Sequence, residues 1–141
     1  MTEALSPEAP VTLIMGAGDA IGSAIARKFA QQGHTVCMAR RNGDKLTPLV
    51  EELHAQGLKA HAYTCDARKE EEVEALFAEI ESTHGKLEVV VFNIGANVPM
   101  SILDTSSRKF YKIWEMACFA GFLTGREAAR SMTKNGRGTI I

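Results

Sequence analysis

The sequence predicts an α/β protein built on a doubly wound parallel sheet. Short apolar segments alternate with longer segments whose apolar residues recur at helical spacing, and the connections between them are mostly a few residues long. This β-α-β-α-β-α-β-α-β order is typical of a parallel sheet with helices on both faces. A glycine-rich turn directly after the first apolar segment adds a tight strand-to-helix connection of the kind that such folds require.

Five segments are predicted to be strands. Segments 11–15 and 87–92 are short apolar runs, and the second is rich in β-branched residues, as in strands buried on both faces. Segment 35–39 is a further apolar run, and 59–64 is a weaker one. The last segment, 139–141, reads as the start of a strand with nothing after it, so we expect a chain that is incomplete at its C-terminus. Its free sheet edge predicts marginal stability or self-association of the 141 residues.

Four helices are predicted between these strands. Three of them have apolar residues at helical spacing and end at a glycine. The apolar residues and the glycines are Ile21, Ile25 and Phe29 before Gly33; Leu46, Leu49, Val50 and Leu53 before Gly57; and Val73, Leu76, Phe77 and Ile80 before Gly85. The third of these helices is predicted over 69–84. The fourth is long, roughly 107–132, and contains Gly121 and Gly125. Each glycine costs about 1 kcal/mol relative to alanine, so we expect close packing against another element. Phe110 and Trp114, one turn apart on this helix, are expected in the core or in an interface.

Composition limits the partners. A chain of 141 residues with 45% hydrophobic residues can bury the core of one domain. Its net charge of -1 provides no global basic field for nucleic acid or an anionic membrane, and we expect neither as a partner. The longest apolar run, 116–123, is far shorter than the roughly 20 residues of a membrane span.

The termini and cysteines indicate the location. Residues 1–10 lack the basic and apolar regions of a signal peptide, so we expect a disordered tail followed by one domain over 11–141. Cys37, Cys65 and Cys118 are odd in number, widely spaced and without a C-x-x-C pair. This pattern argues against a disulfide framework and a metal site, and it favours a reduced, cytoplasmic setting.

The glycine-rich turn after the first strand is the first candidate site, because ligands of doubly wound sheets bind beyond the carboxyl ends of the strands. Its backbone N–H groups and the positive end of the following helix suit a pyrophosphate. A tight turn without a ligand is the alternative. A carboxylate at Asp19 would repel a pyrophosphate, so we expect it to cap the helix. The candidate residues are Gly16, Gly18, Asp19, Ala20, Ile21 and Gly22.

Arg40 and Arg41 follow the second strand. At this position of a dinucleotide site, a carboxylate would bind the ribose 2′-hydroxyl, whereas arginine suits a 2′-phosphate. The pair therefore predicts NADP rather than NAD. A solvated basic loop is the alternative.

Polar residues also follow the third and fourth strands. Asp66, beside Ala67, either caps the next helix or accepts a hydrogen bond from an adenine amino group. Gly95 allows backbone to lie close to a ligand. Asn93, before Ile94, either faces that ligand or pins neighbouring strands by hydrogen bonds.

Over residues 11–141 the chain resembles the short-chain dehydrogenase/reductase family. The family's T-G-x-x-x-G-I-G turn keeps Gly16, Ile21 and Gly22 here, while methionine replaces the threonine and Ala20 the middle glycine. Its N-N-A-G motif is similar to the sequence F-N-I-G at 92–95. The resemblance implies a Rossmann-like sheet in the order 3-2-1-4-5 and an NAD(P)-dependent oxidoreductase acting on a carbonyl or alcohol. It also implies homo-oligomers that form through the long helix.

The family's catalytic groups are a tyrosine and a lysine four residues apart, with a serine after the fifth strand. Tyr63 and Tyr111 are followed at that distance by Ala67 and Glu115, so these 141 residues contain no Y-x-x-x-K motif. The family's supporting asparagine would fall at Cys118, and a thiol is a poor substitute for an amide. We therefore expect this chain to supply cofactor binding and to be inactive alone. A noncatalytic nucleotide-binding or association module is the alternative.

Overall fold

The structure, a computed structural model, describes residues 8–18, 20–95 and 97–141. Its sheet has five strands in the order β3-β2-β1-β4-β5, and the four pairs of neighbouring strands are parallel. This confirms the predicted Rossmann-like order 3-2-1-4-5. The strands are β1 Val11–Met15, β2 Thr35–Arg40, β3 Ala60–Thr64, β4 Leu87–Phe92 and β5 Thr139–Ile140.

Helices cover both faces of the sheet. Their bounds are α1 Ile21–Gln31, α2 Thr47–Ala55, α3 Glu70–His84, α4 Ser107–Trp114 and α5 Ala120–Asn135. A short 3-10 turn, Gly43–Leu46, precedes α2, and a π-helical segment, Glu115–Phe119, joins α4 to α5. The sequence predicted all the strands and the first three helices to within about two residues.

Alternating strand residues supply two separate cores. Leu13 and Met15 of β1 pack with α3 and α5 on one face, whereas Ile14 packs with α1 and α2 on the other. Side chains of successive strand residues point to opposite faces, so a strand that is apolar throughout supports both layers. All five residues of β1 are buried.

The predicted long helix is not one regular α-helix. α4 buries none of its residues, whereas α5 packs on the sheet through residues such as Leu123 and Met132. The intervening π segment inserts an extra residue into the helical turn and so changes which face is presented. Of the two places expected for Phe110 and Trp114, the core is wrong, because they are 64% and 40% exposed, and an interface stays a prediction.

The two glycines of α5 differ in their packing. A Cβ at Gly121 would lie 3.3 Å from Cε1 of Phe92, which confirms the expected close approach to the sheet. At Gly125, outside the adjacent residues and the helix's own backbone, no described atom lies within 4 Å of the corresponding position, so that expectation is wrong for Gly125.

The two ends of the chain were expected to be a disordered tail and the start of a strand. Residues 1–7 of the predicted tail lie outside the described residues, and the carbonyl of Pro10 accepts a hydrogen bond of 2.9 Å from the Thr35 N–H. At the other end, Ile141 continues the pairing of β5, because its N–H donates to the Val90 carbonyl at 2.9 Å. Among the described residues, no helix is long and apolar enough to cross a membrane.

Candidate functional site

A cleft of about 470 Å³ opens at the carboxyl ends of the strands. This volume falls in the usual range for small-molecule sites. The wall is formed by Gly16, Ala17, Gly18, Arg40, Arg41, Asn42, Lys45, Cys65, Asp66, Ala67, Arg68, Asn93, Ile94, Gly95, Met116 and Ala120. The fold therefore brings together the residues that follow four different strands.

The glycine turn is fixed against the neighbouring strands. The backbone N–H groups of Gly16 and Ala17 both donate to the Ala39 carbonyl, at 2.8 and 3.2 Å. Gly16 has a φ of +88°, and a Cβ there would lie 2.4 Å from Cγ1 of Ile94. Glycine is required at 16 because both the backbone conformation and the space exclude a side chain. Around Gly18, by contrast, no described atom outside the adjacent residues lies within 4 Å of a Cβ position.

The later residues of the turn do not line the cleft. Ala20 and Ile21 are exposed, and Gly22 is buried with its Cβ position 2.7 Å from the Cα of Ala17. Gly22 thus allows α1 to pack closely on the turn. Asp19, and with it the predicted helix cap, lies outside the described residues.

The basic wall is built by the end of β2 and the 3-10 turn after it. Arg40 ends the strand and is half-buried, while Arg41 and Lys45 are exposed beside the cleft. The Gly43 N–H donates to Oγ1 of Thr64 at 3.1 Å, which ties the turn to the end of β3. Arg40, Arg41 and Lys45 thus place three positive charges on one side of the cleft, although the net charge of the whole chain is -1.

Asp66 forms a two-pronged ion pair with Arg68. Nε and Nη2 of the arginine donate to Oδ1 and Oδ2 of the carboxylate at 2.9 and 2.7 Å. The guanidinium hydrogen bonds lower the pKa of Asp66 to about 2, against the smaller opposing effect of burial. The predicted alternative of helix capping is wrong, because the N-cap of α3 is Lys69 and no side chain caps it. The Arg68 guanidinium and backbone N–H instead occupy this carboxylate.

Asn93 lines the cleft and also pins two strands. Its Nδ2 donates to the Gly16 carbonyl at 3.2 Å, and its backbone N–H donates to the Met15 carbonyl at 2.8 Å. The structural alternative predicted for Asn93 is therefore confirmed. Ile94 and Gly95 follow it on the cleft wall, and Ala96 lies outside the described residues.

The cysteines have different environments. Cys65 lines the cleft but is buried, and this burial raises its pKa to about 12. Cys118 lies in the π segment, is exposed and is not on the cleft wall, whereas its neighbour Met116 is. In the described part of the chain, no group of three or more His, Cys, Asp or Glu side chains could hold a metal ion.

The sequence and the fold are shared with a known family of proteins. A family sequence profile described as short chain dehydrogenase matches residues 10–141. The chain belongs to the short-chain dehydrogenase family. This family consists of oxidoreductases with Rossmann-like cofactor domains, and the sheet order and the site at the strand ends agree with membership.

Curated relatives and solved structures extend the comparison. The chain is 34% identical over 129 residues to the 7alpha-hydroxysteroid dehydrogenase of Escherichia coli K12, covering 92% of this chain and 50% of the relative. It is 34% identical over 131 residues to glucose 1-dehydrogenase of Gluconobacter oxydans, covering 92% and 49%. A crystal structure of a short-chain dehydrogenase from Rhodopseudomonas palustris is 51% identical with a TM-score of 0.88, covering 93% of this chain and 61% of that one. The chain spans about half the length of these two curated short-chain dehydrogenases.

The structure adds cleft residues that the sequence reasoning missed. They are Ala17, Asn42, Lys45, Cys65, Arg68, Met116 and Ala120. Lys45 and Arg68 lie four residues after Arg41 and two after Asp66, so a search for further cations near the predicted ones could have found them. Met116 and Ala120 come from the distant long helix, and no local motif marks them.

Proposed function

We propose that the cleft binds NADP in preference to NAD. The observation that carries this proposal is the basic wall, where Arg40, Arg41 and Lys45 meet on the same cleft as the glycine turn. A 2′-phosphate is the group that distinguishes NADP, and charge-assisted hydrogen bonds from arginine suit it. Two solved relatives support the choice, an actinorhodin polyketide ketoreductase with NADPH and a metagenomic short-chain oxidoreductase with NADP. They are 28% and 27% identical to this chain.

The remaining cleft residues fit the rest of a dinucleotide. Gly16 allows the tight turn, and Gly18 leaves the backbone open just before α1, where the helix dipole favours a pyrophosphate. Asp66 and Ala67 supply a carboxylate and a backbone edge for adenine. Residues 93–95 lie on the wall at the end of β4, where close backbone approach suits the nicotinamide half of the cofactor.

Ala20, Ile21 and Gly22 have an indirect role in this proposal. Ala20 is the N-cap of α1, Ile21 and Gly22 begin the helix, and Gly22 lets it start directly behind the cleft. Their part is to place the helix N-terminus and not to touch the cofactor.

For the complete protein we propose hydride transfer between NADP and a carbonyl or alcohol substrate. The bound nicotinamide supplies or accepts the hydride. This chain binds and orients the cofactor, and with no Y-x-x-x-K motif in its 141 residues it leaves proton transfer to groups outside them. Without such groups, the chain acts as a nucleotide-binding module.

We also propose a homo-oligomer that forms through the long helix, and a cytoplasmic location. An aromatic row, exposed except at the half-buried Phe119, supports the first proposal: Tyr111, Trp114, Phe119 and Phe122 have successive ring centroids 5.7, 5.8 and 6.4 Å apart. Phe122 is 55% exposed, and association would bury it. The three free thiols support the second proposal.

The test is calorimetric titration of the chain with NADPH and NADH. Arg41→Gln and Lys45→Gln should each weaken NADPH binding about ten-fold and leave NADH binding within two-fold, since each removes one phosphate contact. Lys28→Gln is the matched control, because Lys28 is exposed near the C-terminal end of α1, away from the strand carboxyl ends. Equal losses for both cofactors, or a parent chain that binds neither, would refute the proposal.

A further inference from the structure

Arg68 was not expected at the site, and its geometry gives it a defined task. Its guanidinium holds both carboxylate oxygens of Asp66, and its backbone N–H donates to Oδ1 at 3.2 Å. Both residues line the cleft, with side chains 29% and 15% exposed. A carboxylate with both oxygens bound by one planar fork has a fixed orientation.

The segment that carries this pair is fixed as well. The Asp66 N–H donates to Oε2 of Glu72 at 2.7 Å, and the Lys69 N–H donates to the Asp66 carbonyl at 2.9 Å. Lys69 in turn binds Oε1 of Glu72 at 2.9 Å. The backbone of Asp66 is thus held independently of the Arg68 side chain. Loss of that side chain would remove the two-pronged contact and leave the carboxylate only the backbone N–H of residue 68, without unfolding the loop.

The electrostatic surroundings divide the cleft into two parts. The positive charge of Arg68 offsets the negative charge of Asp66. Arg68 is also attracted electrostatically by Glu115 at the start of the π segment. The other cleft cations, Arg40, Arg41 and Lys45, belong to the β2 side. The Asp66 side is therefore a nearly neutral region with directed hydrogen-bonding groups, which suits a base rather than a phosphate.

An ionised carboxylate accepts hydrogen bonds and donates none. Oriented on the cleft wall, it accepts from an exocyclic amino group and repels a carbonyl oxygen at the same place. A 6-oxo base would set its carbonyl oxygen against the carboxylate, two acceptors with no donor between them, so a site built this way rejects the wrong base.

We propose that Arg68 is a positioning residue that orients the Asp66 carboxylate and so makes the cleft select a 6-amino purine over a 6-oxo purine. This inference rests on the proposed function, since the purine is the base of the dinucleotide. Arg68 acts through Asp66 and not through a contact of its own with the base.

The test compares NADPH with its hypoxanthine analogue, in which a carbonyl replaces the adenine amino group. Titrations of the parent chain should show at least ten-fold tighter binding of NADPH. Asp66→Asn should bring this ratio near one, because an amide can also donate. Arg68→Met should lower the ratio at least three-fold, and Arg68→Lys, with one donor group in place of a fork, should give an intermediate ratio. Arg130→Met, on the exposed side of α5, should leave the ratio unchanged.

The ratio separates positioning from a merely structural role. If Arg68 only stabilised the loop, Arg68→Met would weaken both ligands equally and keep the parent ratio, and this result would overturn the inference while the proposed function stood. A parent chain that binds neither dinucleotide would instead overturn both. Should Arg68→Met fail to fold, Arg68→Lys decides the question, because it keeps the charge and loses the two-pronged geometry.

Discussion

Replacing Gly18 with alanine should block the cleft without harming the fold. Apart from the adjacent residues, no described atom lies within 4 Å of the new methyl group, and the backbone at Gly18 has no positive φ. Gly→Ala at a compatible position stabilises a protein by about 0.4–1 kcal/mol through the unfolded state. A methyl group inserted where backbone meets a pyrophosphate should cost the complex about 1–3 kcal/mol, the usual penalty for overpacking. NADPH binding should therefore weaken about 5- to 150-fold.

Gly16→Ala is the matched comparison, since the same methyl group meets the protein itself. Its Cβ would lie 2.4 Å from Cγ1 of Ile94 and 2.9 Å from the Asn93 carbonyl oxygen, at a φ of +88°. The left-handed conformation costs alanine about 1–2 kcal/mol and the close contacts about 1–3 kcal/mol, so unfolding should become easier by about 2–5 kcal/mol. In a chain of this size the Tm should fall by roughly 6–15 °C.

Differential scanning fluorimetry and NADPH titration measure the two effects separately. Gly18→Ala should keep or raise the Tm and lose affinity, whereas Gly16→Ala should lose both. A Gly18→Ala chain with unchanged NADPH affinity would refute the placement of the pyrophosphate at this turn. A Gly16→Ala chain with the parent Tm would refute the steric argument drawn from Ile94.

Three further predictions concern stability and reactivity. Ellman's reagent should modify one thiol in the folded chain, Cys118, and all three in urea, because the other two are buried with pKa values raised to about 12; rapid modification of a second thiol in the folded state would contradict this. Burial lowers the pKa of both His61 and His84, whose ring centroids are 4.1 Å apart, so the unfolded chain takes up protons first and urea midpoints should fall as the pH drops below about 6.5. His61→Phe should make that decline shallower, and an identical slope would count against the assignment. Tyr63→Phe removes the 2.8 Å hydrogen bond to Nε2 of His84 and should destabilise the chain by about 1 kcal/mol in urea unfolding, while the exposed Tyr111→Phe should change nothing measurable.

The sequence by itself determined the fold class, the strand order expected from the family, and the local motifs. Alternating apolar segments and helical periodicity depend on residues close together in the chain, and each of these signals survives without tertiary information. For the same reason the glycine turn, Arg40 and Arg41, and the residues after β3 and β4 could be found as candidates: each lies at the end of a strand or directly after it.

The tertiary structure decided what these side chains contact. From the sequence, Asp66 could either cap a helix or face a ligand. Only the folded chain shows that its carboxylate accepts hydrogen bonds from Arg68. The sequence likewise predicted one long helix over roughly 107–132, whereas in the folded chain a π segment joins the exposed α4 to α5, which packs on the sheet. Met116 reaches the cleft from that segment, about 100 residues after the glycine turn in the chain. Such contacts depend on which side chains are close together in space and on which of several partners binds best. Local sequence patterns contain no information on either point.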